Sequence, residues 1–370
     1  MLAPTRSLAT LPFALVTVAT ALSTIPVSLA MARWGRKPLF ASGAAFGALG
    51  GGLATWAIVQ GNFPLFCAAN MLLGLYQACA QYYRFAATES AADHFKSQAI
   101  SIVIGGGVVA AVAGPTLAAW ARDALAPHTF AGSYLVVLGL AMTSVAVLSG
   151  LKFTQIASAS SSDLSVSFLS TARNPRFVVA VSNSALGYAV MIFVMTATPL
   201  AVVSCGFSVG EAASVIQWHL LSMFVPSFFT GKLIARWGVI KILLTGAVLF
   251  AIGSVAALAG TALLHFRLAL ALNGLAWNFM FVGGTTLLAQ RFSSAPAAIR
   301  ARAQAANEFI TFAAVAIGSL LAGALFDNKG WEAVNWVILP FVAVAFGSTL
   351  WLWAVERKTS TKTALLGPKS

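Results

Sequence analysis

Ser28-Leu29-Ala30-Met31-Ala32-Arg33-Trp34-Gly35-Arg36-Lys37 is a short basic turn that closes one long apolar segment and opens the next. It recurs as Gly231-Lys232-Leu233-Ile234-Ala235-Arg236-Trp237-Gly238-Val239-Ile240-Lys241. The two copies share Ala-Arg-Trp-Gly, with Ala32 and Ala235 lying 203 positions apart. A basic turn between two apolar helices reads as a hairpin at one membrane face. Two copies half a chain apart read as a duplicated helical unit.

Composition fixes the solvent. Charged residues make up 8% of the 370 and apolar residues 59%. A soluble domain carries about 25% charged residues, so this chain is solvated mostly by lipid. The net charge of +13 does not point to nucleic acid. Its basic residues sit singly or in threes between apolar runs, as they do in loops held on the cytoplasmic side. Cys67 and Cys79 fall in apolar runs and Cys205 near the end of one. That scatter suggests neither a disulfide framework nor a metal site.

Eleven spans are expected, at 8–32, 38–59, 63–88, 98–120, 132–151, 177–203, 210–235, 240–260, 264–289, 303–325 and 332–354. Each is long enough to cross an apolar core of about 30 Å. Aligning the hairpins matches span 8–32 with span 210–235. Span 177–203 then lacks a partner, and the expectation is that this sequence starts at the second helix of its repeat. The rival reading of the start is a signal peptide cut near Ala30-Met31-Ala32. Its apolar run is too long for that, and it matches an internal span.

Lys and Arg divide unevenly between the two ends. Arg33, Arg36, Lys37, Lys96, Lys152, Arg173, Arg176, Lys232, Arg236, Lys241, Arg291, Arg300, Arg302 and the tail fall on one side. Arg6, Arg122, Arg267 and Lys329 fall on the other. The first side is expected to be cytoplasmic, and to hold the C-terminus. The expected organisation is an N-terminal helix bundle (1–151), a cytoplasmic linker (152–176), a six-helix bundle (177–356) and a polar cytoplasmic tail (357–370). The Ser-rich run Ser158–Asp163 gives the linker its flexible character.

This pattern resembles the major facilitator superfamily, with its two six-helix halves, central linker and basic hairpins after the second and eighth helices. The family hairpin is roughly Gly-x-Leu-Ala-Asp-Arg-x-Gly-Arg-Lys. The first copy keeps Arg33, Gly35, Arg36 and Lys37, and the second keeps Gly231, Leu233, Arg236 and Gly238. Both place Ala (Ala32, Ala235) where the family carries an Asp that helps latch the halves. A further family feature is a Gly-Pro bend in the fifth helix, associated with antiporters. Here Gly105-Gly106-Gly107 is followed by Gly114-Pro115, although the glycines that usually follow the Pro are absent. Small residues also serve ordinary close helix packing.

The resemblance implies an all-α integral membrane protein, a two-fold pseudo-symmetric bundle showing helices two to twelve of a twelve-helix fold. It also implies alternating access, an inner-membrane location, single copies of the chain, a small-molecule substrate and no cofactor beyond a proton gradient.

Polar groups inside the bilayer are costly and therefore candidates for function. Asn70, Gly74, Gln77, Gln81 and Arg84 follow one another at spacings of four, three, four and three, which is one helical face. Tyr82 and Tyr83 flank them. By the resemblance this is the fourth helix, which lines the central cavity. Arg84 either binds and gates there or snorkels to the nearby end. Asn183 and Tyr188, and Asn273, Trp277 and Asn278, are cavity candidates on the seventh and tenth helices.

Glu308 is the one carboxylate clearly inside a span, and Glu89 closes the fourth. Arg84 pairing with Glu308 across the rocking halves would make a charged gate and a proton site. The alternative for Glu308 is a negative charge held by a helix N-terminus. His219 reads as either a titrating group or a hydrogen-bonded packing residue.

No Walker A loop, His-Glu-x-x-His or nucleophile elbow appears, so an enzyme is not expected. The expected activity is proton-coupled efflux of a small organic molecule. The alternatives are proton-coupled uptake by the same fold, or a non-transporting sensor or assembly protein.

Overall fold

The computed structural model describes residues 2, 4, 11–151 and 173–365. The Ser-rich part of the expected linker, 152–172, lies outside the described residues. Every regular element among those described is helical. In chain order they are α1 Leu11–Trp34, α2 Arg36–Val59, α3 Phe63–Ala80, α4 Tyr83–Glu89, α5 Lys96–Gly105, α6 Gly107–Ala121 and α7 Ala131–Gly150. After the linker come α8 Pro175–Ser204, α9 Val209–Phe224, α10 Ser227–Trp237, α11 Val239–Leu258, α12 Leu263–Arg291 and α13 Ala297–Leu365.

Nine helical stretches are long and apolar enough to cross a membrane, and the bent pair α9–α10 makes a tenth. One of the nine, Ala297–Lys358, is 62 residues long. A straight helix of that length would reach about 93 Å, roughly three times the apolar core. It is broken at Gly330, where φ is 76° and ψ −174°. On either side of that break, Gly318 packs against Ala189 and Thr349 bonds to Asn183. Both contacts lie on α8 within two turns, so the two arms of α13 flank it and the chain reverses at Gly330. The count is therefore eleven spans among the described residues, five before the linker and six after it. The polar tail after Glu356 continues the last arm as far as Leu365.

Three of the expected straight spans are interrupted. α9 and α10 meet at a 40° bend around Pro226, whose ring removes a backbone donor from the helix ladder. α5 and α6 are separated at Gly106, while the helix is continuous through Gly114 and Pro115. α3 and α4 are separated at Gln81–Tyr82, where the Phe85 N–H bonds to Tyr82 O rather than Gln81 O. That shift leaves the Gln81 carbonyl open to a side chain.

The repeat seen in sequence is also a repeat in backbone. Gly35 and Gly238 adopt φ 85°, ψ 168° and φ 86°, ψ 150°. Residues other than glycine rarely hold this region, so the turn itself requires glycine there. Each glycine N–H caps the preceding helix at 2.9 Å, on Met31 O and Ile234 O. Gly74 and Gly274 are equivalent too. A Cβ at Gly74 would meet Val16 O at 2.5 Å and Thr20 N at 3.2 Å. One at Gly274 would meet His219 O at 2.6 Å and Met223 N at 3.1 Å. His219 and Met223 are Val16 and Thr20 advanced by 203, so the same glycine seats the same pair of helices in both halves.

Two seams join the halves. In one, Ser28 on α1 donates to Ala301 O on α13 at 2.9 Å. In the other, Ser97 on α5 donates to Gly231 O on α10 at 3.0 Å. Ser28 and Gly231 are again 203 apart, so the seams are related by the internal repeat. A hydrophobic cluster containing Met31, Phe40, Tyr82, Phe85, Leu288, Phe292 and Ala303 packs residues of both halves together at the basic end.

Candidate functional site

The first seam carries the charges. Arg36 follows the Gly35 turn and grips Glu89 of α4 with two hydrogen bonds, Nε to Oε2 at 2.6 Å and Nη2 to Oε1 at 2.5 Å. The same Nη2 donates across the seam to Gln304 Oε1 at 3.1 Å. Arg300, also across the seam, reaches Glu89 Oε1 at 3.2 Å. One carboxylate thus holds two guanidinium groups from opposite halves. A cavity of about 170 Å³, lined by Glu89, Lys96, Arg300 and Gln304 among others, lies beside this cluster.

One turn deeper, Arg84 meets Glu308. Arg84 Nη2 lies 2.5 Å from Glu308 Oε1, with side-chain exposures of 4% and 0%. Asn307 donates to the same oxygen at 2.8 Å. Arg84 Nη1 donates to the Gln81 carbonyl left open by the helix break, at 2.9 Å, and to Gln81 Oε1 at 2.8 Å. The break at Gln81–Tyr82 therefore supplies the backbone acceptor that anchors the guanidinium. Two charges at this depth are costly unless paired and hydrogen-bonded. Arg84 Nε, Glu308 Oε2, Asn307 Oδ1 and Thr311 Oγ1 are buried and have no protein partner among the described residues.

Arg84 also lies 4.4 Å over the Phe281 ring, within the range of a cation–π contact. Phe281 is stacked on Trp277 at 5.0 Å and 16°. Tyr188 sets its edge against Trp277, Phe281 and Phe312 at 5.3, 5.3 and 5.6 Å. Phe224 closes on Trp277 at 5.9 Å. The buried ion pair thus sits against an aromatic cluster drawn from α8, α9, α12 and α13.

The structure gathers some of the expected residues at this place and puts others into packing. Arg84, Gln81, Glu308, Tyr188 and Trp277 are together, and Gln77 stands half-buried one turn above Gln81. Tyr82 is fully buried and donates to Thr24 O at 2.7 Å, tying the α3–α4 junction to α1. Asn70 bonds to Phe66 O in its own helix at 2.8 Å. Asn183 holds Thr349 at 2.9 Å. Asn278 bonds to Met223 O at 2.7 Å and accepts from Thr230 at 2.6 Å, bracing α12 against the bent pair. Asn273 faces a small internal cavity with Ser254 and Asn335. His219 Nδ1 lies 2.8 Å from Leu270 O, inside the second half and away from the seams.

Of the hairpin residues, Arg36 is engaged, whereas Arg33, Lys37 and Arg236 are exposed. Gly107 lies against Phe224, and Gly105 against Phe228. Phe281, Phe312 and Thr311 were missed by sequence reasoning. Their only signal is helical spacing from Trp277 and Glu308.

Comparisons with known proteins agree with this architecture. A sequence model described as Major Facilitator Superfamily matches residues 179–368. The chain is 41% identical to a protein of Brucella anthropi named riboflavin transporter RfnT, over 91% of this chain and 85% of that one. It is 28% identical to YdeG of Bacillus subtilis, an MFS-type transporter of uncharacterised activity, over 90% of this chain and 80% of that one. Among solved structures, the E. coli fucose:proton symporter FucP superposes with a TM-score of 0.75 at 18% identity, covering 94% of this chain and 91% of its own. A bacterial homologue of ferroportin in an outward-facing state gives 0.69 at 14% identity, over 94% and 90%. The chain is a multi-pass membrane transporter and belongs to the major facilitator superfamily.

Proposed function

We propose that the chain moves riboflavin, or a flavin closely related to it, by proton-coupled alternating access. We place it in the inner membrane with its basic end in the cytoplasm. The observation that carries the reading is the buried Arg84–Glu308 pair set against the Trp277–Phe281–Tyr188 cluster. A flat heteroaromatic ring matches an aromatic wall, and a self-neutralised ion pair suits a substrate without net charge. The 41% identity to a protein named as a riboflavin transporter supports the same substrate class.

The mechanism follows from what closes the basic end. Arg84–Glu308 and Arg36–Glu89–Arg300 both bridge the halves, so separating the halves at that end requires breaking them. A proton on Glu308 removes one charge of the inner pair and weakens the closure. Substrate binding beside the pair and proton binding on it then act on the same two-state element. The bias each exerts is its difference in affinity between the states.

Secondary transport is reversible, so direction is read from the response to a gradient. Riboflavin entry into proteoliposomes driven by an acidic interior is antiport, which corresponds to export in the cell. Entry driven by an acidic exterior is symport, which corresponds to uptake. Export is the expectation carried by Gly114–Pro115, through which α6 runs as continuous helix. The test is flavin fluorescence inside proteoliposomes under each imposed pH gradient, with Glu308→Gln beside the parent. Gradient-driven movement that Glu308→Gln abolishes, with simple exchange retained, is the expected result. Riboflavin movement indifferent to both gradients would overturn proton coupling. No movement at all by inserted, folded protein would overturn the flavin reading.

A further inference from the structure

We propose that the polar end of this site reads the imide edge of the flavin ring, through Arg84, Glu308 and Thr311. The proposal rests on the flavin reading above and adds which edge of the ring is recognised and by which atoms.

Five buried polar atoms at the site have no protein partner among the described residues: Arg84 Nε, Glu308 Oε2, Thr311 Oγ1, Asn307 Oδ1 and Trp277 Nε1. Leaving such atoms unpaired is costly, and a cluster of them beside an aromatic wall points to a ligand with matching polar groups. Their types are specific. Arg84 Nε carries a hydrogen and can only donate. Glu308 Oε2 can only accept while its carboxylate is charged. Its other oxygen is already engaged by Arg84 Nη2 and Asn307 Nδ2. Thr311 has a hydroxyl hydrogen to give. Glu308 and Thr311 lie three residues apart on α13, hence on one face.

Arg84 Nε, Glu308 Oε2 and the Thr311 hydroxyl thus offer donor, acceptor, donor, with Asn307 Oδ1 a further acceptor and Trp277 Nε1 a further donor beside them. A flavin's pyrimidinedione edge presents carbonyl, imide N–H, carbonyl, which is the complement. The imide N–H goes to Glu308 Oε2, and the two carbonyls take Arg84 Nε and the Thr311 hydroxyl. Phe281 lies beneath the Arg84 guanidinium and Trp277 beneath Phe281, which sets the polar end directly against the aromatic cluster. The arrangement also explains why the site is polar yet neutral. The ion pair offers hydrogen-bonding atoms of both kinds with no net charge to compensate.

The test compares riboflavin with a flavin methylated on its imide nitrogen, titrated against the purified full-length protein in lipid nanodiscs. Quenching of flavin fluorescence by the aromatic wall is the readout. The methyl group removes the N–H and blocks the carboxylate while leaving the rest of the ring unchanged. We expect the methylated flavin to bind at least about tenfold more weakly, as for a site built around a hydrogen bond that the analogue lacks.

Thr311→Val then supplies a second reading. It should weaken riboflavin several-fold and weaken the methylated flavin less, because the methyl group pushes the imide edge and its carbonyls away from α13. Equal affinity for the two flavins in the parent protein would overturn the proposal while leaving flavin transport standing. Riboflavin affinity unchanged by Thr311→Val would overturn the part given to that hydroxyl. Binding of neither flavin would overturn the flavin reading itself, and this proposal with it.

Discussion

The two seams between the halves occupy equivalent positions of the repeat but are built from different chemistry. At the α1–α13 seam the closure is ionic. Arg36, Glu89, Arg300 and Gln304 form its outer layer, and Arg84 with Glu308 the inner one. At the α5–α10 seam it is steric. A Cβ on Gly231 would lie 2.6 Å from Gln98 Cα and 2.7 Å from Ser97 O, and Gly105 and Gly107 receive Phe228 and Phe224.

The difference traces to single positions after the shared Ala-Arg-Trp-Gly. Arg36 and Lys37 of the first copy correspond to Val239 and Ile240 of the second. The second hairpin keeps the turn and lacks the cation that grips a carboxylate. The two seams thus share a backbone arrangement and differ in side-chain chemistry. Ionic contacts can be weakened by a proton or rearranged by a ligand, whereas glycine packing resists separation mainly through fit. The charged seam is therefore the one suited to switching.

The largest expected effect breaks the ionic side at its most buried point. Arg84→Ala leaves the Glu308 carboxylate buried without its cation, which should cost about 3–5 kcal/mol. Thermal unfolding of the purified protein measures it, and a midpoint within a degree or two of the parent would show that the pair does not hold this seam. Next is the steric side. Gly231→Leu should cost about 1–3 kcal/mol by overpacking against the α5 backbone. It should also raise thiol labelling of a cysteine placed at Ser101, with Cys67, Cys79 and Cys205 replaced. Labelling as slow as in the parent would mean that the seam tolerates a side chain.

Glu89→Gln should come third. It removes the charge that two arginines share, worth about 1.5–3 kcal/mol for hydrogen bonds to a charged group. The balance should move toward an open basic end, read as faster labelling of a cysteine at Ala303. Unchanged labelling would leave Arg84–Glu308 as the sole latch. The smallest effect sharpens the comparison within the repeat. Arg33→Ala and Arg236→Ala, both at exposed positions, should each stay within about 0.5 kcal/mol of the parent and transport normally. A large loss in either would mean that the exposed motif arginines act in a state other than this one.

Much of this was legible in the sequence, for definite reasons. A run of about 20 apolar residues is seldom stable anywhere but in a bilayer. The spans could therefore be placed from Arg36–Val59 to Leu263–Arg291 with ends displaced by only a few residues. The Arg84–Glu308 contact was expected because charges in apolar spans are rare and need partners. The aromatic cluster was not legible. Phe281 and Phe312 are two of 26 phenylalanines, and nothing local separates a buried aromatic cluster from a lipid-facing surface. Asn183, Asn278 and Tyr82 stand out in the sequence as polar groups in spans. They bond to neighbouring helices, which satisfies Tyr82 and Asn278 as buried polar groups and leaves only the Asn183 Oδ1 unpaired. The break at Gln81–Tyr82 had no Pro or Gly to announce it. The bend at Pro226 does have one, in the middle of the expected span 210–235.

The sequence by itself determined the membrane class, the duplicated unit and the two glycine turns, because composition, span length and a repeated motif are local properties. Only the tertiary structure decided that Glu89 serves arginines from both halves, that the Gln81 carbonyl anchors Arg84, and that Tyr188, Trp277, Phe281 and Phe312 meet beside Glu308. Those outcomes depend on where a helix breaks and which helix faces meet: Arg300 lies 211 positions from Glu89, and Tyr188 lies 89 to 124 positions from Trp277, Phe281 and Phe312, separations at which no local signal marks the meeting.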